Sequence, residues 1–276
     1  MEYGASRAGA TIAGVFLIGL LTRPLRLIGL LVTAALIAGG IWAWRTLHSS
    51  TPVSEATAVA AFRDGPRAGG SGGSGGSGIP APGVYVYRVT GSEKASAGPL
   101  NVDRDLPLRA PMIVRRTPGG YETELRLSEE HIEGFRYRVG ASGTRMVSTR
   151  TKLTFLSVGR DDRRTLTPAP LHIPTRLVVG RRWSDVYKAG DNLGVRARSR
   201  ILREETLTIG RRRLRTFVIE IRSDTSGAHP GLRAETLWWS PDLSLPVRHR
   251  STLDIDGIVG LEGSATLNLV SAGPRR

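Results

Sequence analysis

Cysteine is absent from the chain, which excludes disulfides, zinc–thiolate sites, iron–sulfur clusters and cysteine nucleophiles. A domain of this sequence outside the cytoplasm must therefore be stabilised by an ordinary apolar core. Lysine is also scarce and occurs only at Lys94, Lys152 and Lys188. Arginine consequently supplies nearly all of the positive charge behind the formal net charge of +15.

Sequence motifs for catalysis and metal binding are missing as well. The five histidines form neither an H-x-H pair nor an H-E-x-x-H motif, and there is no G-x-S-x-G element or phosphate-binding glycine loop. Asp254 and Asp256 share a sheet face, but solvation at a hairpin end accounts for two such carboxylates. The sequence therefore predicts no catalytic residue, no metal ligand and no cofactor.

One long apolar run is present, and it predicts a membrane anchor. Residues 27–44 carry no charge, and 18 residues at about 1.5 Å each nearly cross a hydrocarbon core of roughly 30 Å. Arg23 and Arg26 precede the run and Trp42 and Trp44 end it, which indicates a cytoplasmic N-terminus and an extracytoplasmic C-terminal domain. Because bulky residues follow the run, we favour an uncleaved anchor over a cleaved signal peptide.

The predicted organisation has four parts. Residues 1–26 form a cytoplasmic N-terminus, residues 27–44 a single transmembrane helix in the cell membrane, residues 49–82 a flexible tether, and residues 83–276 an extracytoplasmic domain. The tether contains the glycine–serine run 69–78, either natural or engineered, which is typical of a flexible coil. The apolar segment Ala10–Leu21 is too short to span alone, so an interfacial helix and one arm of a helical hairpin both stay open.

Alternation of apolar and polar residues predicts a mainly β domain after residue 82. Segments rich in β-branched and aromatic residues alternate with turn residues, and no segment shows a sustained helical period. Thr165–Pro174, with three prolines, is predicted to be a connecting loop. The fold class is one antiparallel β domain, either a sandwich or a curved sheet forming a half-barrel or partly closed barrel. The predicted strands are Val84–Thr90, Ile113–Thr117, Tyr121–Leu127, Phe135–Val139, Arg145–Leu156, Trp183–Tyr187, Leu193–Ile209, Leu214–Ser223, Arg233–Ser240, Pro246–Asp256 and Glu262–Val270.

Arginines recur on one face of two of these strands. If the strands are neighbours, one sheet face is core and the other is basic, and it is either an ordinary solvated face or an anion-facing surface. The candidate residues are Arg196, Arg198, Arg200, Arg248 and Arg250.

Trp238 and Trp239 are adjacent, so a regular strand places their indoles on opposite faces. Alternation with Leu237 and Val247 assigns Trp239 to the core. Trp238 is then the candidate residue of a ligand groove or an exposed surface, unless both faces are covered.

Three segments carry a resemblance to known proteins. Leu177–Trp183 (LVVGRRW) and Thr236–Arg248 (TLWWSPDLSLPVR) resemble segments of bacterial envelope β proteins of unknown function and, more loosely, of the lipoprotein-carrier fold. With Gly83–Glu93 (GVYVYRVTGSE), the whole chain resembles uncharacterised actinobacterial single-pass membrane proteins. The resemblance implies a curved antiparallel sheet around an apolar groove, and it implies no catalytic residue.

Three functional hypotheses follow, of which an enzyme is the least favoured. The first is a membrane-tethered, non-catalytic binding module for an apolar or amphiphilic, lipid-like ligand. The second is a cell-envelope interaction or structural protein that uses the basic face on anionic lipid or wall polymer. Nucleic acid is not an expected partner of a domain outside the cytoplasm, and the oligomeric state is left open.

Overall fold

A computed structural model describes residues 50–65, 78–97, 100–155, 158–256 and 260–276. The predicted segments 1–26 and 27–44 and most of the glycine–serine run lie outside these residues. Within the described part of the chain, no helix has the length and apolar character needed to cross a membrane.

One helix and fourteen strands make up the described part. The helix is α1 (Glu55–Asp64). The strands, in chain order, are β1 (Gly83–Ala97), β2 (Leu100–Asp105), β3 (Arg109–Thr117), β4 (Gly120–Arg126), β5 (His131–Gly140), β6 (Gly143–Phe155), β7 (Val158–Thr167), β8 (Leu171–Pro174), β9 (Arg182–Ala189), β10 (Leu193–Ile209), β11 (Arg212–Gly227), β12 (Gly231–Ser240), β13 (Leu245–Ile255) and β14 (Gly260–Leu269).

Twelve of these strands close into an antiparallel barrel. Its order is β1, β3, β4, β5, β6, β7, β9, β10, β11, β12, β13 and β14, and β14 returns to pair with β1. This closing contact runs from Tyr87 opposite Leu269 to Ser96 opposite Gly260. Closure joins the two edges that an open sheet would expose. The antiparallel β class predicted from sequence is therefore confirmed, with the sheet fully closed.

The barrel is joined unevenly. β13 and β14 pair from Arg248 to Ile255, whereas β7 and β9 pair only at Leu166 with Ala189 and at Thr167 with Lys188. β2 pairs with the second half of β1, and β8 pairs with the start of β6. The narrow β7–β9 contact is the seam of the barrel.

β8 places part of the predicted loop Thr165–Pro174 inside the barrel. Its residue Ile173 packs in a buried cluster with Ile201, Phe217 and Trp239. The prediction of a loop was wrong here, because the prolines stand at the ends of short paired segments and leave Thr165–Thr167 and Leu171–Pro174 extended.

Helix α1 corrects the prediction that the whole of 49–82 is a flexible tether. The Ser54 hydroxyl caps the helix by accepting a hydrogen bond from the Thr57 backbone N–H at 3.0 Å. Ala58 packs against Val84 and Ile113, which are cross-strand partners and fully buried. The helix therefore covers an apolar patch on the outer side of β1 and β3.

Candidate functional site

The barrel encloses a cavity of about 840 Å³. This volume falls within the range of about 300–1,000 Å³ that is usual for small-molecule sites. Barrels with more strands than about eight have room for a ligand, because their inward side chains no longer fill the interior. The cavity is the candidate functional site.

Aromatic rings form one part of the cavity wall. The rings of Tyr121 and Tyr137 are stacked with centroids 4.8 Å apart, and the His172 ring lies 5.2 Å from that of Tyr137. The indole of Trp239 meets His172 edge-on at 6.2 Å. Burial raises the pKa of Tyr121 and of Tyr137 above the usual range, so both are neutral phenols. This wall offers flat, uncharged surface to a ligand.

Aliphatic residues line the cavity around the β13–β14 and β9–β10 connections. Leu253, Ile255 and Leu261 come from β13 and β14, and Leu193 and Val195 come from the start of β10. This part of the wall suits an apolar chain.

A row of ionisable side chains of alternating type runs through the interior, here called the inner charge chain. It consists of Arg104, Glu93, His131, Glu133, Arg233, Glu235 and His249.

The first half of the inner charge chain is fully buried. Arg104 Nε donates to Glu93 Oε1 at 2.5 Å, and Glu93 Oε2 lies 2.6 Å from His131 Nδ1. Glu93, Arg104 and His131 are 5%, 5% and 7% exposed. Each charge is thus compensated where water is excluded.

The second half lines the cavity. Glu133 lies 3.7 Å from His131 Nε2 and 3.8 Å from Arg233 Nη2. Glu235 Oε1 accepts from Arg233 Nη2 at 3.1 Å and lies 3.0 Å from His249 Nε2. The accessible part of Arg233, 27% of its side chain, faces this cavity. These groups are therefore available to a ligand inside the barrel.

Protonation in the inner charge chain follows from its pairing. Burial alone would lower the pKa of His131, but its contacts with Glu133 and Glu93 raise this pKa to about 9, so the ring is an imidazolium at neutral pH. Burial alone would raise the pKa of Glu133, but Arg233 and His131 hold it at about 2. Arg233 and His249 likewise keep the pKa of Glu235 well below its usual range against the opposing effect of burial. His131, Glu133 and Glu235 are therefore all charged at neutral pH.

His172 behaves in the opposite way. Burial lowers the pKa of His172 to about 4, and the more distant Glu235 only partly offsets this. The aromatic wall therefore carries a neutral imidazole beside the charged chain.

Two guanidinium nitrogens on the cavity wall lack a hydrogen-bond partner within the described residues. Arg164 binds Asp162 through Nε at 2.7 Å and Nη2 at 2.6 Å, and its buried Nη1 is unpaired. Arg233 Nε is likewise buried and unpaired. Because an unsatisfied buried donor is costly, these N–H groups are suited to an acceptor supplied by a ligand.

No group of three or more histidine, aspartate or glutamate side chains with metal-binding geometry occurs among the described residues. The close acid–base contacts of the interior are ion pairs with arginine or histidine.

Trp238 does not lie where the sequence placed it. It is 6% exposed and does not line the cavity, whereas Trp239 does. Its Nε1 donates to Glu205 Oε1 at 2.7 Å, and the Arg248 guanidinium lies 5.2 Å from the ring centroid. The far half of the β10–β11 hairpin packs Leu214 into the same cluster and so covers the outer face here. The inward assignment of Trp239 agrees with the structure, and Trp238 is an outer-face residue under a hairpin.

The predicted arginines divide into two groups. Arg196, Arg198 and Arg200 are exposed on the outer side of β10, whereas Arg248 and Arg250 lie on β13. Two strands, β11 and β12, separate them, and the curvature of the closed barrel turns the two groups in different directions. The structure therefore does not assemble the five arginines into one surface.

Sequence reasoning missed the inner charge chain, although a signal was present. Arg233 and Glu235 have the same strand parity as Leu237 and Trp239, which had been assigned to the core. Charged residues at core positions of a strand indicate a polar interior feature.

Comparisons with known proteins add little to these findings. No protein-family model matches the chain, and no curated protein matches it. Among solved structures it is similar to the hypothetical lipoprotein YmcC from Escherichia coli K12, at 12% identity and a TM-score of 0.32, over 78% of this chain and 97% of that chain. A TM-score this low does not establish shared function. The resemblance to actinobacterial single-pass membrane proteins stays a prediction.

Proposed function

We propose that the chain is a non-catalytic binding module that holds one amphiphilic, lipid-like molecule inside its barrel, beside the membrane to which residues 27–44 attach it. The observation that carries the proposal is the cavity of about 840 Å³, whose lining combines apolar and aromatic side chains with a few charged groups.

The apolar part of the ligand is assigned to the aliphatic wall. Leu253, Ile255 and Leu261 supply branched side chains without hydrogen-bonding groups. Transfer of a hydrocarbon chain from water to such a wall contributes about 0.8 kcal/mol for each buried CH₂ group. A chain of ordinary lipid length therefore has enough apolar surface to drive binding.

The polar part of the ligand is assigned to Arg164 and Arg233. Their unpaired N–H groups favour a carboxylate, phosphate or carbonyl oxygen over a cationic head group. Glu133 and Glu235 are already neutralised by their neighbours, so they attract a ligand cation only weakly. The preferred ligand is an amphiphile whose head carries acceptor oxygens.

Binding rather than catalysis is proposed because the acids and bases of the cavity are tied to one another. Glu235 contacts both Arg233 and His249, and Glu133 contacts Arg233 and His131. A general acid or base has to exchange its proton with a substrate near the working pH. The pKa of Glu133, about 2, is far from that condition.

The test uses a dodecanoate analogue that carries a photoreactive diazirine on its chain. The full-length protein is reconstituted in lipid nanodiscs, irradiated with this probe and digested, and the labelled peptides are identified by mass spectrometry. We expect labels on inward residues of β13 and β14, competition by excess dodecanoate, and weaker competition by dodecyltrimethylammonium.

Two variants on one strand control for folding and surface labelling. Ser223→Phe fills the cavity, since Ser223 lines it, whereas Ser226→Phe adds the same ring at an exposed position of β11. Labelling of β13 and β14 should fall in the first variant and persist in the second. Labels restricted to outward residues, or equal labelling in both variants, would contradict the proposal.

A further inference from the structure

The outer side of β9 and β10 carries a dense group of cations, here called the basic face. Its residues are Arg182, Lys188, Arg196, Arg198 and Arg200. The strand register places Arg182 opposite Arg200, Ser184 opposite Arg198 and Val186 opposite Arg196. All five cations point outward, because Tyr187, Ala189 and Val195, of the opposite parity, line the cavity.

Acidic neighbours compensate this face only in part. Arg198 lies 3.5 Å from Asp224 of β11, which is the cross-strand partner of Arg196. Glu220 of β11 is the cross-strand partner of Arg200. For the side chains of Arg182, Lys188, Arg196 and Arg200, the described residues provide no ion pair and no hydrogen bond. Two like charges directly opposite on neighbouring strands destabilise a sheet, as Arg182 and Arg200 do here. The basic face therefore keeps an excess of positive charge over the two carboxylates that adjoin it on β11.

Exposed valines lie within the same face. Val186 is 65% exposed between the cations of β9, and Val178 and Val179 are 58% and 50% exposed just before that strand. Their turn is fixed to the sheet, because Gly180 N donates to Ile201 O at 2.8 Å and Ile201 N donates to Arg181 O at 3.0 Å. Val178 and Val179 are thus held next to the start of β9, and Val186 lies farther along that strand, opposite Arg196.

We propose that the basic face docks on the surface of an anionic lipid bilayer. Cations attracted to anionic head groups, together with apolar side chains that enter the interfacial region, form the usual combination in peripheral membrane binding. A soluble anionic polymer would use the arginines and leave the valines in water. The valines therefore favour a bilayer, and this inference does not depend on what the cavity binds.

The experiment exploits the absence of cysteine, since any introduced cysteine is a unique labelling site. Full-length protein carrying Val179→Cys or Val186→Cys is labelled with the environment-sensitive fluorophore NBD. It is then combined with vesicles of phosphatidylcholine alone or with 30% phosphatidylglycerol. We expect a blue shift and at least a twofold rise in NBD emission only with the anionic vesicles, and its loss as added salt shortens the Debye length.

Matched variants separate this face from net charge. Arg182→Gln combined with Arg198→Gln and Arg200→Gln should abolish the emission change. Arg88→Gln combined with Arg109→Gln and Arg138→Gln removes the same charge from exposed positions on β1, β3 and β5, and should preserve it. A label at Thr90→Cys, exposed on β1, should not respond.

Three results would overturn the proposal. One is equal emission with both vesicle types, and another is an equal response at Thr90→Cys. The third is an emission change produced by soluble polyglutamate in the absence of vesicles, which would assign the face to an anionic polymer.

Discussion

Arginine lies in two contrasting settings in this barrel. Inside, Arg233 stands between Glu133 and Glu235, and every neighbour along the inner charge chain is of the opposite type. Outside, Arg200 has a like charge, Arg182, as its cross-strand neighbour on β9, and only its neighbour on β11, Glu220, is of opposite sign.

The difference shows how solvent access decides which charge patterns a fold tolerates. An uncompensated ion in the interior costs several kcal/mol, so interior charges occur in sets that neutralise each other. A like-charge pair in water costs only about 0.2–1 kcal/mol, so the outer surface can keep an excess of one sign for an external partner. Balanced charge inside and unbalanced charge outside can therefore serve different functions in one chain.

The largest expected effect tests the interior side of this comparison. Arg233→Met removes the cation shared by Glu133 and Glu235 and leaves these two mostly buried carboxylates without it. Loss of one partner from a buried ion pair typically costs about 3–5 kcal/mol, so the free energy of unfolding should fall by that amount. Urea denaturation of the purified protein measures it.

Arg200→Met is the matched control for that substitution. Its side chain is exposed on the outer face, and substitutions at such sites usually change stability by less than about 0.5 kcal/mol. Equal destabilisation by the two substitutions would show that the interior and exterior arginines do not differ as described.

The next effect is a dependence of stability on pH that comes from the interior alone. His131 has a pKa of about 9 in the folded protein against 6.5 ordinarily, so its contribution is complete below pH 6.5 and is lost as the pH rises to 9. The loss amounts to about 3 kcal/mol. His172 has a lowered pKa of about 4, so its contribution is present above pH 6.5 and is lost as the pH falls to 4. Stability should therefore be greatest near pH 6.5.

Replacing His131 tests whether its titration causes the loss of stability between pH 6.5 and pH 9. His131→Gln should flatten the fall in denaturation midpoint between pH 6.5 and pH 9 and leave the fall below pH 6.5. An unchanged alkaline slope in the variant would mean that another group titrates there.

The smallest expected effect has the opposite sign and belongs to the basic face. Arg182→Gln removes one member of the like-charge pair with Arg200, so it should stabilise the protein by about 0.2–1 kcal/mol. The gain should shrink in high salt, where exposed charges are screened. Destabilisation instead would show that Arg182 has a favourable partner on this surface.

Much of the fold could be predicted from the alternation of residues. The segments Leu193–Ile209 and Arg233–Ser240 were predicted as strands with correct or nearly correct bounds. Alternation of apolar and polar residues is a local property of the sequence. It therefore predicts individual strands and the inward position of Trp239. It carries no information about which strands pair, so the closing contact between β14 and β1 could only be one option among several.

The burial of Trp238 and the inner charge chain were not predicted, because both depend on contacts between residues that are far apart in the sequence. Trp238 is buried because a hairpin from another part of the chain folds over it, and no local pattern predicts that contact. The inner charge chain unites β1, β2, β5, β12 and β13, so no local sequence pattern brings its members together. Helix α1 did have a local signal, because Ser54 followed by Glu55 and an alanine-rich stretch is typical of a capped helix start.

The seam between β7 and β9 has a consequence for how quickly a ligand can enter and leave. Parting these strands breaks the pairing of two residues on each side, whereas parting β13 from β14 breaks eight residue pairs. Local opening at the seam therefore requires far less free energy than unfolding the barrel. The seam is therefore the place where the barrel wall parts most easily, and it offers a ligand a route into and out of the cavity in addition to the cavity's open part.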